Sequence, residues 1–148
     1  MENRITPSLV STLQPKEIFV FGSNIQGCHA GGAAAIAVKK FGAIMGQGIG
    51  LQGQSYAIPT MEGDLSQIGC YIKDFIAFAK SNPSYQFLVT PIGCGIAGYT
   101  PQEIAPFFKD CIDLENVSIL LNFWKLLMEK KVNSKKKMSK KIGGYKKL

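Results

Sequence analysis

The sequence predicts an α/β domain whose sheet carries helices on both faces. Apolar runs of strand length alternate along the chain with segments of helical periodicity, and that alternation builds a sheet flanked by helices. Two glycine-rich segments each leave a strand and enter a helix start, as loops at the ends of sheet strands do. The size agrees: 148 residues, 46% hydrophobic and 18% charged, bound one globular domain with a continuous core.

Taken in order, Thr6-Pro7-Ser8-Leu9 reads as an N-cap with proline at the first helical position, predicting a short helix to about Leu13 that Pro15 stops. Ile18-Phe19-Val20-Phe21 is a buried strand, Gly22 to Ala30 a loop, and Gly31 to Phe41 an alanine-rich helix. Gly42 to Gly53 holds glycine at 42, 46, 48, 50 and 53, a region of turns and short strand that serves either as a flap or as a plain connection. Ser55 to Thr60 is a strand, with Pro59 at its end. From Asp64, the apolar positions Leu65, Ile68, Ile72, Phe75, Ile76 and Ala79 fall on one helical face, with Asp64 and Gln67 placed to form a capping box and Pro83 beyond the end. Gln86 to Thr90 is the next strand. Pro91 to Tyr99 is a loop, and Thr100-Pro101-Gln102-Glu103 starts a helix predicted to reach about Asp113. Val117 to Leu121 gives a last strand and Phe123 to Lys131 a terminal helix.

Charge is unevenly placed. The net +7 resolves into +9 on the segment from Lys125 onward, with ten lysines and the single acid Glu129, and −2 on the 124 residues before it. The body is near neutral, so a basic average does not define a nucleic-acid binder. Residues 1–128 are read as the α/β domain. Residues 129–148 are read as a lysine-rich tail, low in complexity from Val132 and expected to be mobile, open to non-specific nucleic acid. Cys28, Cys70, Cys94 and Cys111 form no CxxC pair and His29 is the single histidine, so neither a metal site nor a cofactor is expected. No apolar run has the roughly 20 residues of a membrane span, and the start lacks a secretory pattern; the expectation is a cytoplasmic protein with no membrane partner and reduced thiols.

Two loops carry the chemistry. The first runs Phe21-Gly22-Ser23-Asn24-Ile25-Gln26-Gly27-Cys28-His29-Ala30-Gly31-Gly32-Ala33 into a helix N-terminus, where unpaired N–H groups and a partial positive charge attract phosphate. Gly31 and Gly32 let an anion reach the backbone, and Ala33 allows close packing beneath it. Asn24 can hydrogen-bond to ribose hydroxyls or act only as a turn residue. The second loop, Ile92-Gly93-Cys94-Gly95-Ile96-Ala97-Gly98-Tyr99, can wrap its N–H groups around one anion, with Tyr99 against a sugar. Neither loop matches the GxxxxGK[ST] or the GxGxxG phosphate motif. The candidate ligand-binding residues are Gly22, Ser23, Asn24, Gly31, Gly32 and Ala33 on the first loop. On the second they are Ile92, Gly93, Cys94, Gly95, Ile96, Ala97, Gly98 and Tyr99.

The pair of loops resembles the macrodomain superfamily, whose members bind ADP-ribose. Asn24, His29, Gly31 and Gly32 match its Asn-then-Gly-Gly spacing, and Gly93 to Tyr99 resembles its diphosphate-wrapping loop. The resemblance spans Ile18 to Trp124. It looks closest to a short divergent phage and bacterial branch through Phe21-Gly22-Ser23-Asn24 and Gly46-Gln47-Gly48 to Pro59-Thr60. The family's first loop asparagine is Phe21 here, Ala97 stands where an aromatic is usual, and its adenine-binding acid has no counterpart. The resemblance implies a three-layer α/β/α sandwich with a mixed central sheet. It also implies binding of ADP-ribose, or of an ADP-ribosylated macromolecule, with Asn24 on the distal ribose. It is compatible with hydrolysis of ADP-ribose from a modified target, for which Asn24, His29 and Asp64 are the candidate groups, or with a non-catalytic reader that sequesters the ligand. A nucleic-acid-associated protein acting through its basic tail is the third reading.

Overall fold

The computed structural model describes residues 4–129, so the predicted tail lies outside the described residues except for Glu129. The strands are β1 (Glu17–Ser23), β2 (Gly50–Gln52), β3 (Ser55–Pro59), β4 (Gln86–Val89) and β5 (Val117–Ser118). They form one sheet in the order β2-β3-β1-β4-β5. β1 pairs in parallel with β3 and β4, and β4 with β5; β2 runs antiparallel to β3, so the sheet is mixed. In register, Phe19 faces Ser55 on one side and Leu88 on the other. The central strand β1 is buried almost throughout because helices lie on both faces, and an apolar run suits that position.

The two-residue period of β1 distributes its side chains between two cores. Ile18 and Val20 join Ile58, Phe87 and Val89 beneath α2 (Leu65–Ser81), which contributes Ile68, Ile72 and Phe75. Phe19 and Phe21 point the other way, into a smaller core with Ala57 and with Ala34 and Ala37 of α1 (Gly32–Lys40). The layering fits an α/β/α sandwich. Asp64 caps α2 by accepting from the Gln67 N–H at 3.1 Å, but no return bond from the Gln67 side chain completes a box there. The helix α4, residues 121–129, adds Phe123, Trp124 and Leu127 to the larger core; it begins two residues earlier than predicted, and Lys130 and Lys131 lie outside the described residues.

Two helix predictions are overturned. Residues Thr6 to Leu13 form no helix. The Thr6 N–H donates to the Ile119 carbonyl at 2.9 Å and Ile5 bridges to Ile119, so the chain is drawn along the end of the sheet. The Thr6 hydroxyl is buried with no partner instead of capping, while Val10 and Leu13 pack on the smaller core. Tertiary contact thus overrides a local start signal. The helix predicted from Thr100 to Asp113 is α-helical only as α3 (Pro101–Ile104) and continues as a 3₁₀ helix over Ala105–Cys111. Pro106 has no N–H to offer the α ladder, which accounts for the change of pitch. β5 ends at Ser118, short of the predicted Leu121, with only the Ile119 bridge beyond it. Among the described residues no helix is long and apolar enough to cross a membrane.

Candidate functional site

The carboxyl ends of β1, β3 and β4, three of the four parallel strands, open into one cleft of about 520 Å³, within the ~300–1,000 Å³ range of small-molecule sites. The first loop contributes Gly22, Ser23, Asn24, Gly31, Gly32 and Ala33, and the second contributes Gly93, Cys94, Gly95, Ile96 and Ala97. The structure therefore brings both predicted loops to the same cavity. Among the described residues, none of the side chains lining it is an acid, a lysine or an arginine.

The first wall is the start of α1. Gly31 is its N-cap, in extended conformation, and no side chain caps the helix. Gly32 has φ +58°, a left-handed turn that suits glycine and swings the chain into the helix. The first-turn N–H groups have no intrahelical acceptor and meet no capping oxygen, so they remain free to bind an anion. The second wall is the turn after β4. It is held by Cys94 N–H to Pro91 O (3.2 Å), Gly98 N–H to Gly95 O (3.0 Å) and Tyr99 N–H to Gly93 O (2.9 Å). The amides of Gly95, Ile96 and Ala97 have no partner among the described residues. The start of α3 is different in kind. Thr100 and Glu103 form a complete capping box, which fills that helix end with an oxygen and a carboxylate of its own.

The polar side chains around the cleft are already in use. Asn24 donates from Nδ2 to the Cys28 carbonyl at 3.0 Å and accepts from the Cys28 N–H at 2.8 Å, closing the first loop on itself. Ser23 Oγ donates to the Gly48 carbonyl, and Thr90 Oγ1 donates to Val20 O at 2.7 Å. Thr60 Oγ1 lies 3.5 Å from Ser23 O. Asn24 thus lines the cleft, with one donor and one acceptor position left for a ligand.

Five predicted ligand contacts or catalytic groups stand outside the lining. Ile92 is buried in the larger core, and Tyr99 packs against that core behind its loop. Gly98 has φ +81° and shapes the turn without lining the cleft. His29 is buried behind the first loop, where its ring meets Phe21 edge-on at 5.2 Å and Nε2 lies 2.9 Å from the Gln47 carbonyl. Facing a carbonyl, Nε2 carries the proton and donates; Nδ1 is buried with no partner. Asp64 is wholly exposed at the α2 cap. Bonds from Ser66 and from the Gln67 backbone hold its carboxyl below the usual carboxylate range.

The glycine-rich segment after α1 is a brace rather than a flap, because none of residues 42–53 lines the cleft. Gln47 donates to Ile49 O and Leu51 O, and the Gly46 N–H donates to Gly27 O at 2.9 Å. Gly27 has φ +71°, and a Cβ there would sit 2.4 Å from the Gln47 nitrogen, so the two segments are in backbone contact.

Sequence reasoning missed Thr60, Met61, Thr90 and Pro91 as lining residues. The available signal was their place at the ends of parallel strands. It also missed Cys28, Ala30 and Ala34, which line the cleft on and beside the first loop. Of the two cleft thiols, Cys94 is pushed up by burial and by the nearby Glu103 carboxylate, which keeps it protonated. The chain matches no protein-family model, no curated protein and no solved structure.

Proposed function

We propose that the protein binds ADP-ribose, or a related ribose–diphosphate nucleotide, in this cleft, as a macrodomain-like reader or sequestering module. One observation carries the reading: the residues at the start of α1 and Gly95, Ile96 and Ala97, whose N–H groups have no partner among the described residues, line one cavity. Amides fixed in two such walls suit the two charges of a diphosphate, since they bind an anion without a counter-ion's desolvation cost. The volume admits a ligand with two riboses.

Binding without hydrolysis is the form that the side chains support. A hydrolytic step asks for a group to activate water. Asn24 is tied to Cys28, His29 points its donor at Gln47, Asp64 caps α2, and Cys94 is held protonated. On this reading the site positions a ligand, and none of these four groups is placed to act as a general base.

Calorimetry of the full chain with ADP-ribose tests this. Gly95 has open space around a would-be Cβ and no left-handed φ, so Gly95→Glu leaves the fold intact while placing a carboxylate among the anion-binding amides. The expected loss of affinity is at least about tenfold, ~1.4 kcal/mol. Equal affinity for the variant and the native chain would remove the diphosphate from this cleft. Incubation with mono-ADP-ribosylated protein is expected to leave the label in place.

A further inference from the structure

We infer that the cleft selects its ligand by the ribose–diphosphate segment and is indifferent to the nucleobase, so that it takes nucleoside-diphosphate riboses as a class. The inference rests on the reading of the cleft as a ribose–diphosphate site, and deepens it. To tell one base from another, a site must present hydrogen-bonding groups that the right base satisfies and the wrong base leaves unpaired. Sites built that way discriminate by roughly 10⁴ or more, whereas an apolar wall tells similar ligands apart by only ~10–200-fold.

Most polar side chains of this cleft are turned to other work, and Asn24 alone keeps one open donor and one open acceptor, a pair that suits a ribose hydroxyl. Ser23 donates to Gly48 O, Asn24 bonds both ways to Cys28, and Thr90 donates to Val20 O. Thr60 points its hydroxyl at Ser23 O. Each ties backbone segments together, and among the described residues no charged side chain joins them in the lining. What remains for the outer part of a ligand is apolar and open: Met61 is 48% exposed and Ile96 83% exposed, and both line the cleft. Side chains of this kind cover the face of any base by dispersion and leave its hydrogen-bonding edge to water. Backbone amides supply the affinity through the diphosphate, which every member of the class shares.

The test is calorimetric titration of the full chain with ADP-ribose and with its guanosine and cytidine counterparts. Dissociation constants within about fivefold of one another support the inference. Adenine binding tighter than both others by tenfold or more, about 1.4 kcal/mol, overturns it and leaves the diphosphate site standing. Failure of all three to bind a folded chain overturns the site and the inference together. The double variant Met61→Ala, Ile96→Ala adds a second readout. It is expected to weaken the three ligands by a common factor of about three to ten. A loss confined to the adenine compound would show a base-reading pocket and defeat the proposal.

Discussion

Single residues show how a group's surroundings set its role. His29 and Asn24 sit on the loop that shapes the cleft, and each bonds to the backbone around it: His29 through Nε2, Asn24 through one donor and one acceptor. The buried titratable groups of the larger core act on stability instead. Burial pushes the Cys111 thiol up to about 12, and burial with the Asp74 carboxylate nearby pushes the Tyr56 phenol up to about 12. Both are neutral in the fold and ionise more readily once unfolded. Their contribution is therefore complete below the unfolded values, 9.0 for the thiol and 10.0 for the phenol, and is lost as pH rises toward 12. Urea midpoints measured from about pH 8 to about pH 11 are expected to stay level and then fall. Cys111→Ala with Tyr56→Phe should flatten that decline. A decline of unchanged steepness in the double variant would place its cause elsewhere.

At the scale of elements, two helix starts of similar sequence position do different jobs. Both follow a strand of the parallel set, yet α1 leaves its first N–H groups free to the cleft while α3 closes its own with the Thr100–Glu103 box. The box holds the end of the second loop, since Tyr99 leads directly into Thr100 and the Thr100 N–H is held by Glu103 Oε1 at 3.0 Å. Thr100→Ala removes one side of it. The expected effect is about 1 kcal/mol of stability, read as a lower urea midpoint, with weaker ADP-ribose binding as the Gly95–Ala97 amides lose their fixed direction. If stability falls and affinity does not, the cap serves the helix alone. The start of α3 was legible in Thr100-Pro101-Gln102-Glu103, because cap, proline and glutamate are local signals. Its length was not, because Pro106 converts the following turns to 3₁₀ geometry.

For the whole molecule, the separation of charge is the governing feature. The described residues that line the cleft are neutral, and most of the lysines from Lys125 onward lie outside the described residues. Binding through amides involves no release of counter-ions from protein cations, so ADP-ribose affinity is expected to change by less than about threefold between ~50 and ~500 mM salt. Polynucleotide binding, tested on the same chain, is expected to collapse over that range and to vanish when the residues after Val132 are removed, with ADP-ribose binding intact. Ligand binding that fell as steeply as polynucleotide binding would move the site onto the lysines.

The sequence by itself determined the order of strands and helices from β1 to α4, the apolar face of α2, the caps at Asp64 and Thr100, and the two glycine loops. All of these depend on residues within a few positions of one another, where periodicity, φ preference and short-range hydrogen bonding act. Only the tertiary structure decided which groups face the cleft. Pairing β3 and β4 on either side of β1 brought Thr60, Met61, Thr90 and Pro91 to a cavity with Asn24 and Gly31. Where the first loop meets residues 46 and 47, His29 bonds to the Gln47 carbonyl and does not line the cleft. The N-terminal segment gave up its helix for a bond to Ile119, more than a hundred residues along the chain. Side-chain direction at a site follows from which distant segments pack together, and contacts between distant segments leave no periodic trace in the residues that make them.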